Sequence, residues 1–411
     1  MTARPLFRAA FAPIALAMSL GAQTTPELIG ITAATPFVRT RDMALCREGT
    51  CAPLGFPAMA AHPAAGGTGY DPTRGGVWIS NGTMVACVSA DDCRYLCAAA
   101  PLAGSRAFVS GLAVDEIRTR LWLTDTANTI HTYELRCPLT LPLSSCTASV
   151  PARHTIGGIA TADVDGLVIW SSSDFSGTAP PGNVLYVAPM TRPCTPTCST
   201  PLPGCGLSAM GPIHGVAYDQ CSRMVWVTDG FKTLGLVLDT RTCALTPTHC
   251  CAPSTTEPFI GLCVKPSRAT VSGRACVHPA CGPCTPTTSI GTAGDPAIGN
   301  PSFTVTLSGA PLATTAWLML SLGGPCVSPG APAPAPFCGL LVVDLSVPPI
   351  VIGPVTTAGL AACTGSAAIR VSVPASLGLC GLHGCAQWIG ICAAGAGGVL
   401  SPGLSFALSG T

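Results

Sequence analysis

Four aspartates recur at a fixed distance from four tryptophans. Asp71, Asp115, Asp163 and Asp219 each stand seven residues before Trp78, Trp122, Trp170 and Trp226, and three residues after each indole comes Asn81, Asp125, Ser173 or Asp229. Such groups offer two chemistries. Carboxylates and amides converging on one point would hold a hard cation such as calcium. The same groups at strand ends would cap the backbone N–H groups of turns. The context favours turns, because each Asp opens a polar stretch between two apolar runs. Each Trp sits inside an apolar run, which reads as packing between sheets, with ligand stacking as the alternative. His214, just before Gly215, faces either a central channel or a satisfied turn. Asn81-Gly82-Thr83 matches an N-glycosylation acceptor, although its place in the repeat makes it a turn residue.

The 24 cysteines run from Cys46 to Cys392. An oxidising exterior would pair them, whereas a reducing compartment would leave thiols or metal ligands. The pairs Cys93/Cys97, Cys194/Cys198 and Cys281/Cys284 have ligand-like spacing, but repeated C-x2-C pairs are missing and histidines do not accompany them. Disulfides are therefore expected. Cys250 and Cys251 are adjacent, so in an extended chain they face opposite ways and serve different partners. No G-x-S-x-G elbow, H-E-x-x-H helix, P-loop or dinucleotide fingerprint occurs. No catalytic residue and no cofactor is assigned; calcium is the one cation weighed.

The elements that position these residues follow from the repeat. Gly67, Gly111 and Gly215 lie four residues before their Asp, while the third copy has Ile159 there. Successive aspartates are 44, 48 and 56 residues apart. Leu112–Val114, Leu121–Leu123 and Thr129–Glu134 read as three strands of one unit, with a fourth expected within Ala148–Ile156. Short strands with frequent turns in a unit of this length are a propeller pattern. Phe259–Cys276 reads as two strands of a further blade, whose outer strands return from Leu28–Cys46. Five blades are expected, with four or six as alternatives, and closure by both chain ends would hide sheet edges.

Leu121-Trp122-Leu123-Thr124-Asp125 and Val225-Trp226-Val227-Thr228-Asp229 resemble the propeller superfamily with Tyr-Trp-Thr-Asp or NHL-like blades, over residues 28 to about 275. The copies at Trp78 and Trp170 depart at the Thr-Asp end. The resemblance implies a propeller, but that superfamily includes binding domains, scaffolds, lactonases and lyases, so it does not choose a function. The channel ligand set of the calcium-dependent lactonase-like members is not placed here.

The amino terminus and the cysteines lead to the expectation that the chain is exported. Arg4 and Arg8 precede an apolar run, Ala9–Leu20, and the small-residue exit Gly21-Ala22-Gln23, which is the shape of a signal peptide over 1–23. No later apolar run is long enough for a membrane helix. Lys and Arg number 20 and Asp and Glu 19, so nothing electrostatic favours nucleic acid or anionic lipid. Gly 46 and Pro 40 disfavour helices and suit turns. The expected organisation is an all-β chain: a β-propeller over 28–276, a cysteine- and proline-rich junction over 277–298, and a β-sandwich over 299–411.

The sandwich is read from apolar runs at Phe303–Leu307, Ala316–Leu322, Leu340–Leu345, Ala367–Val373, Ala386–Cys392 and Leu404–Leu408. Thr304, Thr306 and Ser308 alternate with Phe303, Val305 and Leu307, the period of a half-buried strand. Cysteines 326, 338, 363, 380, 385 and 392 are expected to form three bridges within it. Gly294-Asp295-Pro296-Ala297-Ile298-Gly299-Asn300-Pro301-Ser302-Phe303, Leu307-Ser308-Gly309-Ala310-Pro311, Pro374, Leu377, Gly381-Leu382, Gln387-Trp388, Leu400-Ser401 and Leu404 resemble an uncharacterised module at the carboxy termini of exported proteins of planctomycetes and other large-genome bacteria. That resemblance implies surface placement and little chemistry.

From Cys284 onward only Asp295, Asp344 and Arg370 are charged, which removes repulsion between copies. The leading expectation is a secreted or cell-surface, non-catalytic structural or interaction protein that self-assembles into a surface layer, matrix or filament. A carbohydrate- or peptide-binding propeller is one alternative. A metal-dependent lactonase, lyase or hydrolase is the other.

Overall fold

The computed structural model describes residues 27–32, 38–42, 47–50, 62–90, 92–101, 107–178, 180–205, 209–251, 258–265, 269–282, 284, 288–393, 395 and 397–410. The segment 1–23 read as a signal peptide lies outside them. The fold is all-β, and the amino-terminal two thirds is a propeller built from four-stranded antiparallel sheets.

Strands β1 (Glu27–Thr32), β2 (Val38–Asp42) and β3 (Arg47–Thr50) come first. One sheet then holds β4 (Gly67–Asp71), β5 (Gly76–Ser80), β6 (Met84–Ser89) and β7 (Tyr95–Pro101). The next holds β8 (Val109–Asp115), β9 (Arg120–Asp125), β10 (Thr129–Glu134) and β11 (Ser144–Thr147). A third comprises β12 (His154–Ala162), β13 (Leu167–Asp174), β14 (Val184–Pro189) and β15 (Cys198–Pro201). A fourth comprises β16 (Gly215–Asp219), β17 (Met224–Thr228), β18 (Thr233–Asp239) and β19 (Ala244–Cys251). Strand β20 (Phe259–Lys265) pairs with β1, giving a sheet of order β20-β1-β2-β3. The inner strands β4, β8, β12, β16 and β20 contact one another in that order, and β20 returns to β4. The ring is thus closed by strands from both ends of its sequence, with no unpaired inner edge.

Glycine sets how tightly the ring closes. A Cβ on Gly67 would lie 2.9 Å from the Gly111 backbone, one on Gly111 3.0 Å from Gly158, and one on Gly158 2.6 Å from Val216 N. One on Gly215 would lie 2.6 Å from the Gly261 carbonyl carbon, and one on Gly261 2.8 Å from Thr68 N. The five inner strands therefore meet backbone to backbone through one glycine each.

Three expectations are corrected. The fourth strand of the second sheet is Ser144–Thr147, before the segment expected, because Ala148–Ile156 leads into β12. Phe259–Cys276 supplies one blade strand, not two: β21 (Thr270–Ser272) and β22 (Cys276–Val277) pair with the last strand of the carboxy-terminal sheet. The third copy does have its ring glycine. It is Gly158 and not Ile159, because the hairpin of that blade is displaced by one residue. Asp71 pairs with Gly76, Asp115 with Arg120 and Asp219 with Met224, whereas Ala162 pairs with Leu167 and leaves Asp163 in the turn.

The carboxy-terminal region continues with β23 (Ser289–Ala293), β24 (Thr304–Ala310), β25 (Thr315–Leu322), β26 (Ala331–Pro332), β27 (Leu340–Leu341), β28 (Ile350–Thr356), β29 (Gly365–Arg370), β30 (His383–Ile391) and β31 (Gly398–Ala407). A sheet of order β21-β31-β30-β25-β28, with β22 also on β31, and a sheet of order β23-β24-β29 share one core. Phe303, Val305 and Leu307 come from the smaller sheet; Leu318, Trp388 and Phe406 come from the larger. The alternation read from Phe303 to Ser308 is that of β24, whose Val305 and Leu307 are buried.

Disulfides follow the architecture. Cys97–Cys137, Cys146–Cys194 and Cys198–Cys243 each tie the outermost strand of one blade to the turn before the outermost strand of the next, and Cys205–Cys250 adds a second tie between the third and fourth blades. The cysteines at ligand-like spacing thus go to separate partners. Cys251 is also disulfide-bonded, separately from Cys250. Of the six cysteines expected to pair within the sandwich, only Cys326 and Cys385 do so; Cys338, Cys363 and Cys392 bond Cys276, Cys284 and Cys281, and Cys380 bonds Cys221 of the propeller. Cys87 and Cys263 are free, buried thiols. Burial pushes both up to about 12, which leaves them protonated and unreactive at neutral pH.

Candidate functional site

The repeated polar residues occupy the two rims of the ring. At one rim Asp71 Oδ1 accepts from Thr73 N (3.1 Å), Asp115 Oδ1 from Arg118 N (2.9 Å) and Asp219 Oδ1 from Cys221 N (3.0 Å). These carboxylates are turn caps on strand ends. Asp163, displaced into its turn, caps a neighbour instead: its Oδ2 accepts from Glu116 N at 3.0 Å, and its Oδ1 has no partner. Burial first, and the charge of Asp115 second, hold the Asp163 carboxyl well above the usual range.

The displacement also turns an indole round. Trp78 packs with Leu112, Val114, Leu121 and Leu123 of the next blade, and Trp226 with Leu28, Leu262 and Val264. Trp122 packs with Ile156, Ile159 and Val168 of the third blade. Trp170 belongs to that same cluster, facing back toward the second blade, while Ile169 faces forward into the fourth. A one-residue shift exchanges the two faces of a strand. Trp170 therefore packs against the preceding blade, whereas the other three indoles pack against the following one. The wedge between the third and fourth blades is filled by aliphatic side chains, with Tyr218 as its aromatic. All four indoles are buried.

The carboxy-terminal region covers the aspartate rim. Asp295 N donates to Pro72 O at 2.8 Å, and Tyr70 Oη donates to the Asp295 carboxylate. Gly299 lies against Ile117, Gly410 lies against Asp219 and Cys221, and the Cys221–Cys380 bridge fixes the contact. The central channel between inner strands, lined by Tyr70, Val114, Thr161 and Tyr218 among others, has a volume of about 30 Å³. That is room for roughly two water molecules.

Among the described residues, the contacts of the carboxy-terminal region with the ring fall on the aspartate rim and not on the opposite one. The turns of that opposite rim are capped by the second polar position of each repeat. Asn81 Oδ1 accepts from Met84 N (2.8 Å), Asp125 Oδ1 from Thr129 N (2.9 Å) and Asp229 Oδ1 from Lys232 N (2.6 Å). Ser173 Oγ accepts from Ile213 N (3.0 Å) on the next blade. Asn81 is 2% exposed, so the glycosylation reading of that motif fails by burial. Blade-to-blade clamps at this rim went unread in the sequence. Asn128 Nδ2 donates to His154 O and Asn183 Nδ2 to Gly211 O, at 3.1 and 2.9 Å. The available signal was Asn128 itself, three residues after Asp125 and in the left-handed region at φ 62°.

Two aromatic–imidazole pairs lie on this rim. His62 and Phe108 have ring centroids 5.6 Å apart, and Phe175 meets His214 edge-on at 5.3 Å. Phe231, at the tip of the next turn, is 47% exposed. His214 N bonds Thr228 O, and its ring is buried enough that desolvation lowers its pKa to about 4 despite Asp229. It is a neutral turn histidine at the channel mouth. Among the described residues no three His, Cys, Asp or Glu side chains converge as a metal site requires. No described helix is long and apolar enough to cross a membrane.

No family model matches the chain, and no curated protein matches it. Solved structures similar to it include the Cps50 (Swd1) β-propeller domain of Myceliophteria thermophila. It is 10% identical, with 55% of this chain and 72% of that one covered and a TM-score of 0.35. A chain of the mitotic checkpoint complex is 15% identical, covering 62% of this chain and 77% of that one, with a TM-score of 0.31.

Proposed function

We propose that this is an exported, non-catalytic interaction protein that docks a protein partner on the rim carrying Phe108, Phe175 and Phe231. One observation carries the reading: the carboxy-terminal region occupies one rim and the channel, at about 30 Å³, holds about two waters, so recognition falls to the loops of the other rim. Those loops are clamped blade to blade, which keeps the ordering entropy of binding low. Disulfides between blades suit an oxidising exterior. The carboxy-terminal region, read as a sandwich with few charges, would hold the rim outward within a surface layer or matrix.

The test is crosslinking in the cells that make the protein, comparing wild type with Phe231→Glu. Crosslinks from rim loops to a partner, weakened by the exposed substitution, are expected. Crosslinks confined to the carboxy-terminal region would overturn rim docking and favour a purely structural role.

A further inference from the structure

Three of the outermost blade strands, β11, β15 and β19, carry or adjoin hydroxyl side chains that neither packing nor the rim uses. Thr195-Pro196-Thr197 immediately precedes β15, and Thr246-Pro247-Thr248 lies within β19. β11 carries Ser144 and Thr147 beside Cys146. Each of these strands is the last in its sheet, so one side of its backbone is unpaired. Natural proteins usually protect such edges with charge. Here no Asp, Glu, Lys or Arg occurs in 137–152, 193–218 or 242–256.

The hydroxyls divide into two sets. Thr197 Oγ1 donates to Val187 O at 3.0 Å, and Thr248 Oγ1 to Gly235 O at 3.1 Å, both toward the sheet. All five residues are exposed, but the hydroxyls of Thr195, Ser199 and Thr246 make no hydrogen bond among the described residues. Proline next to Thr195 and Thr246 removes a backbone donor that would otherwise pair. The structure therefore presents free secondary and primary alcohols along edges that carry proline but no charge.

We infer that Thr195, Ser199 and Thr246 are O-glycosylation sites, the sugars serving as edge guards in place of charge. In the transfer the hydroxyl oxygen attacks the anomeric carbon of an activated sugar phosphate. The new glycosidic C–O bond forms as the anomeric carbon–phosphate oxygen bond breaks. Its electron pair leaves with the phosphate, and the hydroxyl proton passes to a base on the transferase. Thr197 and Thr248, held to the sheet, stay unmodified. The inference is independent of rim docking but rests on export.

Peptide masses of the protein isolated from the cells that make it, digested without reduction, provide the test. The peptides joined by Cys198–Cys243 are expected to be heavier than their sequence by whole sugar residues, assigned to Thr195, Ser199 and Thr246. The triple variant Thr195→Val, Ser199→Ala, Thr246→Val is expected to lose those increments and to self-associate in light scattering at concentrations where wild type stays dispersed. Disulfide-bonded peptides at unmodified mass, or carrying only phosphate-sized increments, overturn the inference. Unmodified peptides whose cysteines are thiols overturn export as well.

Discussion

Trp170 packs into the same wedge as Trp122, although the two indoles belong to successive blades. Residues sharing a cavity do not respond independently to truncation, with coupling of about 0.5–3 kcal/mol. Trp122→Leu and Trp170→Leu are each expected to destabilise by about 2–4 kcal/mol, as large-to-small core changes do. The double variant should depart from the sum of the singles. Trp78→Leu and Trp226→Leu, in separate clusters, should add. Urea midpoints of the four singles and two doubles decide this, and additivity for both pairs would refute the shared wedge.

Gly215 has no room for a side chain, since its Cβ would sit 2.6 Å from the carbonyl carbon of Gly261. Relief requires moving one inner strand away from the next, and both are bonded into sheets. Overpacking of rigid cores costs about 1–3 kcal/mol, and backbone on both sides puts this site at the upper end. Gly215→Ala should lower the urea midpoint by more than Gly177→Ala, where a Cβ meets nothing within 4 Å. Gly177 has φ 70° and so carries its own conformational cost, which makes the comparison stringent. Equal losses would show that the ring closes more loosely than described.

How far these features were legible depends on where the repeat keeps its phase. Asp-to-Trp spacing is constant in all four copies, and it identified the blades and both sets of turns. The same constancy concealed the third blade's shift, because moving Asp163 and Trp170 together leaves their spacing unchanged. Only the strand pairing of Ala162 with Leu167 reveals it. In hindsight Gly158 was the sequence sign, one place before the expected position. The disulfide partners were not legible in general, because they depend on which blades and sheets become neighbours. Cys93 and Cys137 do stand 22 residues after Asp71 and Asp115, so the rivet positions follow the repeat where the turns are equal in length. The carboxy-terminal strands were visible through alternation, but the docking of Asp295 on Tyr70 and Pro72 joins residues more than 200 positions apart and leaves no local trace.

His214 is neutral in the fold, desolvation of its half-buried ring lowering its pKa from 6.5 to about 4. Unfolding exposes it, so between those values the unfolded chain binds more protons than the native one. Its contribution to stability is full above pH 6.5 and is lost as pH falls toward 4. The loss amounts to about 1–3 kcal/mol by linkage. His214→Gln removes the titration, so the variant should lose less stability than wild type on going from pH 7 to pH 4. Parallel urea midpoints across that range would contradict an imidazole held neutral in the fold.

Asp163 is expected to act in the opposite sense. Its carboxyl is held well above the usual range, chiefly by burial and then by Asp115. The native state therefore keeps a proton that the unfolded chain has released. The stability this provides is full below the unfolded pKa of about 3.9 and is lost as pH rises through the higher native value. Asp163→Asn cannot ionise, and its amide oxygen can still accept from Glu116 N. The amide donor meets no acceptor at the site of Oδ1, but neither does the O–H of the protonated carboxyl it replaces, so the substitution adds little cost in acid. The variant should start close to wild type in acid and gain on it as pH rises from 4. His214→Gln should move the other way over pH 4–6.5, losing ground to wild type as pH rises. A stability difference between Asp163→Asn and wild type that stayed flat with pH would mean that Asp163 is ionised in the fold and that the displaced turn of the third blade admits water.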